Sequence, residues 1–340
     1  MVDGSAGAWF DWARAAFEAA RQLPHGDPVQ RRRHGHSFAV ELRVPETGRA
    51  FPDWRSRMAH LANKLDYQDL NECLSAAADH DIIAWFAAGV GQSALSGWLA
   101  AGMRQGAMQD AQGCRYHWFR DRFEASHYLP QVPAGHKCGR MHGHGFEVVL
   151  SASATHDRML LHGAWQRLRE RLHEHCLNDL AGLEMPTSEV LASWIWHQLA
   201  LQDVPLSLVE VFETASCGSS YDGTRHRVWK RRSFDSALWQ NGRRGGHTYE
   251  LTLGLSANMD ETMGWIMDFG DIKRLFEPVY QRLDHHPLHA SGATSVRSAL
   301  QGILEQTGPL MPALDRVDLL ETPNSGVIWS RDSGVTGPVR

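Results

Sequence analysis

The 340-residue chain repeats one pattern three times, and nothing else about it restricts the fold as much. His142-Gly143-His144-Gly145-Phe146 has an earlier relative in His34-Gly35-His36-Ser37-Phe38 and a later one in Gly245-Gly246-His247-Thr248-Tyr249. His34 and His142 lie 108 residues apart, and His144 and His247 lie 103 apart. Other landmarks keep step. A Phe opens a short segment upstream of each: Phe17 to Arg21, Phe123 to His127, Phe234 to Leu238. Downstream comes a helix with apolar residues at helical spacing (Trp54, Met58, Leu61, Leu65; Trp165, Leu168, Leu172; Ile272, Phe276, Val279, Leu283). Each helix ends on a polar pair, Asp66-Tyr67, Glu174-His175 or Asp284-His285. Each unit closes on a strand, carrying Met108-Gln109, Phe212-Glu213-Thr214 or Leu320-Glu321-Thr322. The units are read as residues 1–114, 115–228 and 229–340.

Each unit therefore reads strand, strand, helix, helix, strand, strand. That is an α+β layout, with an antiparallel sheet covered on one face by helices. Four strands leave open edges, and curving three such sheets into one ring removes them. A covalent pseudo-trimer is the expectation.

The central stretch, Cys138-Gly-Arg-Met-His142-Gly-His144-Gly-Phe146, carries the chemistry. Phe146, Val148 and Leu150 alternate with Glu147, Val149 and Ser151, so the segment reads as a strand and residues i and i+2 share a face. His142 and His144 then project together, and His127 joins them if the preceding turn makes a hairpin. Three histidines with no fourth protein ligand are the pattern of a catalytic zinc that keeps one position open. Cys138 reads as a separate reactive thiol, whose pKa is expected to fall beside a metal and a cationic imidazole. A closed site of one cysteine and three histidines is the structural alternative. Isolated histidines such as His60 and His197, and tryptophans on helix faces such as Trp85, Trp98, Trp165 and Trp194, read as structural.

These residues resemble the 6-pyruvoyl- and 6-carboxy-tetrahydropterin synthase family. The shared pattern is Phe-x-x-x-His, then Cys-x-x-x-His-Gly-His, a Leu-Asp-His element, a Pro-Thr-x-Glu helix start and a terminal Glu-Thr. The resemblance is specific in residues 115–228 and weaker elsewhere. It implies a tunnelling fold, in which three units form a 12-stranded antiparallel barrel, and a homodimer that stacks two such pseudo-trimers. It also implies one zinc per chain, held by His127, His142 and His144, with Cys138 as general acid or base and Glu213 as the carboxylate that anchors a pterin. Glu321 is an alternative anchor. The family's Asp-His dyad falls on Asp284-His285 of the third unit or Glu174-His175 of the second, with the former preferred. The third unit also carries Gly264-Trp-Ile-Met-Asp268-Phe269, a segment typical of the family. The outer units look metal-free: the first has Arg21, Gln30, Tyr67 and Gln109 at the family positions, and the third has Leu238 and Gly245. The implied reaction converts 7,8-dihydroneopterin triphosphate to 6-carboxy-5,6,7,8-tetrahydropterin, as in 7-deazaguanine (queuosine) synthesis. The alternatives are elimination of triphosphate by a 6-pyruvoyl-tetrahydropterin synthase, a lyase for a dephosphorylated dihydropterin, and a zinc- and pterin-binding module without catalysis.

Composition narrows the partners. The net charge of −5 and short basic runs give no nucleic-acid footprint. There is no apolar run near membrane-spanning length. The five cysteines lack framework spacing, which points to a reducing compartment. A cytoplasmic protein acting on a small-molecule pterin, without nucleic-acid or membrane partners, is the expectation.

Overall fold

The computed structural model describes residues 7–24, 26, 28–46, 54–91, 95–240 and 243–332. The first unit runs β1 (Ala8–Arg21), β2 (His34–Pro45), α1 (Trp54–Leu65), β3 (Gln68–Asp69), α2 (Leu70–Cys73), α3 (Asp79–Val90), β4 (Ser96–Ala101) and β5 (Gln105–Gln109). The second runs β6 (Arg115–His127), β7 (His142–Ser153), α4 (Arg158–Leu172), β8 (His175–Cys176), α5 (Ser188–Ala200), β9 (Leu206–Thr214) and β10 (Cys217–Tyr221). The third runs β11 (His226–Gln240), β12 (Arg243–Leu255), α6 (Phe269–Leu283), α7 (Val296–Thr307), β13 (Leu314–Thr322) and β14 (Ser325–Ser330).

Twelve of these strands form one ring, in the order β1-β2-β4-β5-β6-β7-β9-β10-β11-β12-β13-β14, and β14 closes it on β1 from Ala8↔Ser330 to Ala13↔Ser325. The ring is an antiparallel barrel with helices on its outer face, a tunnelling-fold pseudo-trimer. The short β3 and β8 add parallel to β1 and β6.

Strand alternation assigns the faces. Phe38, Val40 and Leu42 pack under α1 and α3; Phe146, Val148 and Leu150 under α4 and α5; Tyr249, Leu251 and Leu253 under α6 and α7. These are three separate cores, one per unit. The opposite face turns inward and places Trp98 on Trp118, with ring centroids 4.6 Å apart, across the seam between the first two units. Among the described residues, no helix is long and apolar enough to cross a membrane.

A turn after the first helix of each unit keys the repeat. Tyr67, Glu174 and His285 all have positive φ (56°, 60° and 58°). Each donates its N–H to a strand carbonyl, of Glu18 (2.6 Å), Glu124 (2.7 Å) and Asp235 (2.7 Å) respectively. The residue before each accepts from the same strand residue's N–H: Asp66 Oδ1 at 2.9 Å, His173 Nδ1 at 3.1 Å, Asp284 Oδ1 at 3.0 Å. Left-handed backbone costs a non-glycine residue about 1 kcal/mol, so these bonds hold the turn in place.

Two pairings read from sequence change. In the second unit His173 and Glu174, not Glu174 and His175, stand where Asp284 and His285 stand. Gln109 is not the counterpart of Glu213: Glu213 lies opposite Phe146 by extension of the Glu147↔Phe212 pairing, and the residue opposite Phe38 is Ala101. Gln109 lies at the far end of the next strand, paired with Arg115.

Asp121 ties the first two units. It is 8% exposed and accepts from Trp165 Nε1 at 2.9 Å; Arg169 lies 3.4 Å away, and Arg104, from the β4–β5 turn of the first unit, pairs with it. Asp121→Ala strands an indole N–H and a half-buried guanidinium, and should cost about 3 kcal/mol, while Asp121→Asn keeps the indole acceptor and should cost less. Denaturant unfolding of the two variants checks this, and equal losses would contradict it.

Candidate metal and substrate site

The hairpin of β6 and β7 sets His127 opposite His142 and Ala125 opposite His144. All three imidazoles therefore lie on the helix side, at the end of the sheet, and their ligand atoms come within 4.8 Å of one another. Stacked Phe123 and Phe146 floor the cluster, with His127 edge-on to Phe146. His127 Nδ1 bonds to Pro186 O at 2.9 Å and His142 Nδ1 to Arg140 O at 2.7 Å. A carbonyl partner puts the proton on Nδ1 and leaves Nε2 with its lone pair, the arrangement of a metal-ligating imidazole. Nε2 of His127 and of His144 is buried without a hydrogen-bond partner. Burial lowers the pKa of His127 and of His144, and their neighbouring imidazoles push the same way, which favours the neutral form that ligates. The donor set fits zinc.

Two carboxylates flank the cluster. Glu213, at the end of β9, has Oε1 3.4 Å from His144 Nε2; burial raises its pKa, and His127 and His142 oppose the rise. Glu189, in the first turn of α5, is 2% exposed, and burial raises its pKa to about 7 against the hydrogen bonds it accepts. Those bonds come from Ser188 Oγ at 3.0 Å and Ile266 N at 3.1 Å.

Ile266 belongs to the third unit, so the site is built across a seam. The loop before α6 reaches α5, where Thr187 Oγ1 caps Val190 N and also donates to Gly264 O. Gly264 has φ +67°, and a Cβ there would meet Val190 Cγ2 at 3.0 Å. Asp268 caps α6 and lies 3.7 Å from His136 Nε2. His136 in turn starts the 3-10 turn Lys137–Gly139 that carries Cys138. That turn docks beside His127 through Leu129 N to Cys138 O at 2.8 Å. In the protein without metal, burial and Glu213 push the half-buried Cys138 thiol up, so the expected fall depends on the cation.

The other residues singled out from sequence lie outside this cluster. Glu174 and His175 are exposed on β6's side of the first seam, and His175 Nδ1 bonds to His173 O at 2.8 Å. Asp284 Oδ2 lies 3.1 Å from His285 Nδ1, with the His285 side chain 75% exposed. This pair hangs on β11, the strand that borders the second unit. Glu321 stands in the third unit beside His247, at 3.7 Å, as Glu213 stands beside His144. Leu238 lies opposite Gly245 and Arg21 opposite His34, the register of His127 and His142, so neither outer unit repeats the three-histidine set. Glu189, His136 and Asp268 were not recognised as site residues. Glu189 was visible only as part of a Pro-Thr-x-Glu helix start.

The family model for 6-pyruvoyl tetrahydropterin synthase matches twice, over residues 116–224 and 223–332. A 6-carboxy-5,6,7,8-tetrahydropterin synthase of Synechocystis sp. is 34% identical over 119 residues, which are 30% of this chain and 89% of that protein. The solved 6-pyruvoyl tetrahydropterin synthase of Caenorhabditis elegans is 19% identical, with a TM-score of 0.27, over 30% of this chain and 92% of that one. The Plasmodium falciparum enzyme is 11% identical, with a TM-score of 0.21, over 33% and 96%. With the family model matched over more than half its length, the chain belongs to the 6-pyruvoyl tetrahydropterin synthase family.

Proposed function

We propose that the chain is a zinc-dependent pterin synthase with one working site, in the second unit. Its substrate is 7,8-dihydroneopterin triphosphate, which with one water gives 6-carboxy-5,6,7,8-tetrahydropterin, acetaldehyde and triphosphate. The observation that carries this reading is the meeting of His127, His142 and His144 with a buried carboxylate, Glu189, and a partly buried one, Glu213, in one unit alone. The similarity to a 6-carboxy-tetrahydropterin synthase supports the carboxy product. The description of the matching family model supports the second reading, elimination of triphosphate to the 6-pyruvoyl product.

His127, His142 and His144 hold the metal through their free ring nitrogens. When bound, zinc supplies a Lewis acid that lowers the pKa of side-chain hydroxyls. Glu213 accepts two hydrogen bonds from the amidine-like N–H groups of the pterin, a charge-assisted bidentate contact. Glu189, with no cation against it, offers a second acceptor to the same ring. Cys138 gives and takes a proton at Sγ. Asp284 holds the proton of His285 on Nδ1, which leaves Nε2 able to accept one. We assign this second proton carrier to Asp284-His285 and not to Glu174-His175, because the third unit already reaches the central site through residues 264–268.

Purified protein should carry about one zinc per chain, lost together with turnover in His142→Ala. Cys138→Ala and His285→Ala should bind pterin but lose at least about 100-fold in turnover, with His175→Ala near wild type. Near-three zinc would refute the single site, full zinc without turnover would leave a binding module, and the identity of the product separates the two branches.

Glu189 gives a stability signature. Its folded pKa of about 7 lies above the usual 4.5, so its contribution is fully present below pH 4.5 and is lost as pH rises through 7. Glu189→Gln should therefore be more stable than wild type at pH 8, by up to about 3 kcal/mol, and gain little at pH 5, while turning over more slowly. Denaturant midpoints at both pH values decide it; the same gain at each would show that Glu189 does not titrate there.

A further inference from the structure

The first unit has lost its metal ligands, yet the corresponding place is not apolar. Arg21 stands where His127 stands in the second unit, is fully buried, and lies over the Phe38 ring at 5.1 Å. Its Nη1 donates to Ala77 O at 3.1 Å and to Asp79 Oδ1 at 2.6 Å. Arg158, from the second unit, reaches across the seam and donates from Nη2 to Asp79 Oδ2 at 2.8 Å, with His117 Nδ1 at 3.3 Å. Two guanidinium cations thus share one carboxylate. Burial acts to raise the Asp79 carboxyl, but both arginines override it and hold it well below the usual range.

Around this core, hydrogen-bonding nitrogens remain unused. Arg21 Nε and Nη2, Arg158 Nη1, His34 Nε2, His36 Nε2 and both ring nitrogens of His80 are buried and have no hydrogen-bond partner. His80 stands where Glu189 stands in the second unit, and its ring lies 5.5 Å from that of His117. Burial lowers the pKa of His36 to about 4, with Arg21 and His34 adding to the fall, and burial with His117 does the same for His80. Of these seven nitrogens the three on guanidiniums are donors, and a buried charged donor without an acceptor is an arrangement that folding alone disfavours.

We propose that the pocket of Arg21, His36, His80 and Arg158 binds a small oxyanion, a phosphate or carboxylate group. The excess positive charge lies on the two guanidiniums, whose N–H geometry suits such oxygens, and His80, with both ring nitrogens unpartnered, supplies one further donor. Asp79 competes with the ligand for the same guanidiniums. The pocket is separate from the three-histidine site and does not depend on its activity.

Inorganic phosphate, and acetate as the carboxylate probe, are titrated into the full chain at constant ionic strength against chloride, with binding read by calorimetry and thermal midpoint. Wild type should bind at least one of the two saturably, and His142→Ala, altered in the other unit, should bind it equally well. Arg158→Gln should bind at least about tenfold more weakly, and Asp79→Asn, which removes the competing carboxylate, about tenfold more tightly. Preference for phosphate over acetate identifies the ligand class as a phosphate group, and the reverse as a carboxylate. No saturable binding in either wild type or Asp79→Asn, or binding unchanged by Arg158→Gln, would overturn the proposal and leave these nitrogens to water.

Discussion

Ring closure is the constraint on which the rest depends. A four-stranded unit with helices on one face buries its own core but leaves two strand edges unpaired. Here β5 pairs with β6, β10 with β11, and β14 with β1, so each edge finds its partner within one chain. Closure also brings the start of one unit's first helix against the start of its neighbour's second. The third unit's loop meets α5, Arg158 meets Asp79 at the start of α3, and Arg297 of α7 meets Glu46 of the first unit at 2.6 Å. In a ring of identical chains any substitution at a seam would appear three times. Covalent linkage frees each seam to differ: a backbone N–H meets the carboxylate of Glu189 at one, while arginine–carboxylate pairs stand at the other two.

The central site shows what such freedom protects. A buried carboxylate near a second, partly buried one, and imidazole nitrogens without partners, are arrangements that folding alone would remove. They persist where the surrounding bonds over-determine them. Pro186 O and Arg140 O orient the imidazoles, while Ser188 and Ile266 N hold Glu189. The helix start of α5 and the loop from the third unit act as one frame, because Thr187 both caps the helix and binds Gly264.

Much of this was legible in the residues. Alternation after each His-Gly-His placed the strands and their buried face, and the paired landmarks gave the threefold repeat. The three-histidine cluster followed from i, i+2 spacing plus a hairpin. What failed did so for physical reasons. Gln109 and Glu213 each sit near the end of a strand in a β-meander, and a strand's period of two says nothing about which member of the meander it is. The shift by one at His173-Glu174 turns on a left-handed residue, and Tyr67, Glu174 and His285 carry no side-chain signal for positive φ. The roles of Glu189 and Asp268 need a seam contact, which spacing along one unit cannot encode.

The three counterparts of the metal position show how a buried polar site can change its ligands. At the place of His127 the first unit has a guanidinium and the third has Leu238. Arg21 keeps a cation there without a metal, but a buried cation needs a counter-charge and a polarisable floor, and Asp79 and the Phe38 ring supply them. The third unit takes the opposite course. Leu238 and Gly245 stand in place of two imidazoles, and the remaining carboxylate, Glu321, lies beside His247. Beneath them Tyr249 replaces the phenylalanine, and burial, with Glu321 adding to it, pushes its phenol up to about 12, so it stays neutral. The same position is thus met by different chemistry in each unit. A histidine restored at position 21 alone would leave Asp79 to Arg158, and one restored at 238 would still face Gly245, so neither single reversal rebuilds a three-nitrogen site.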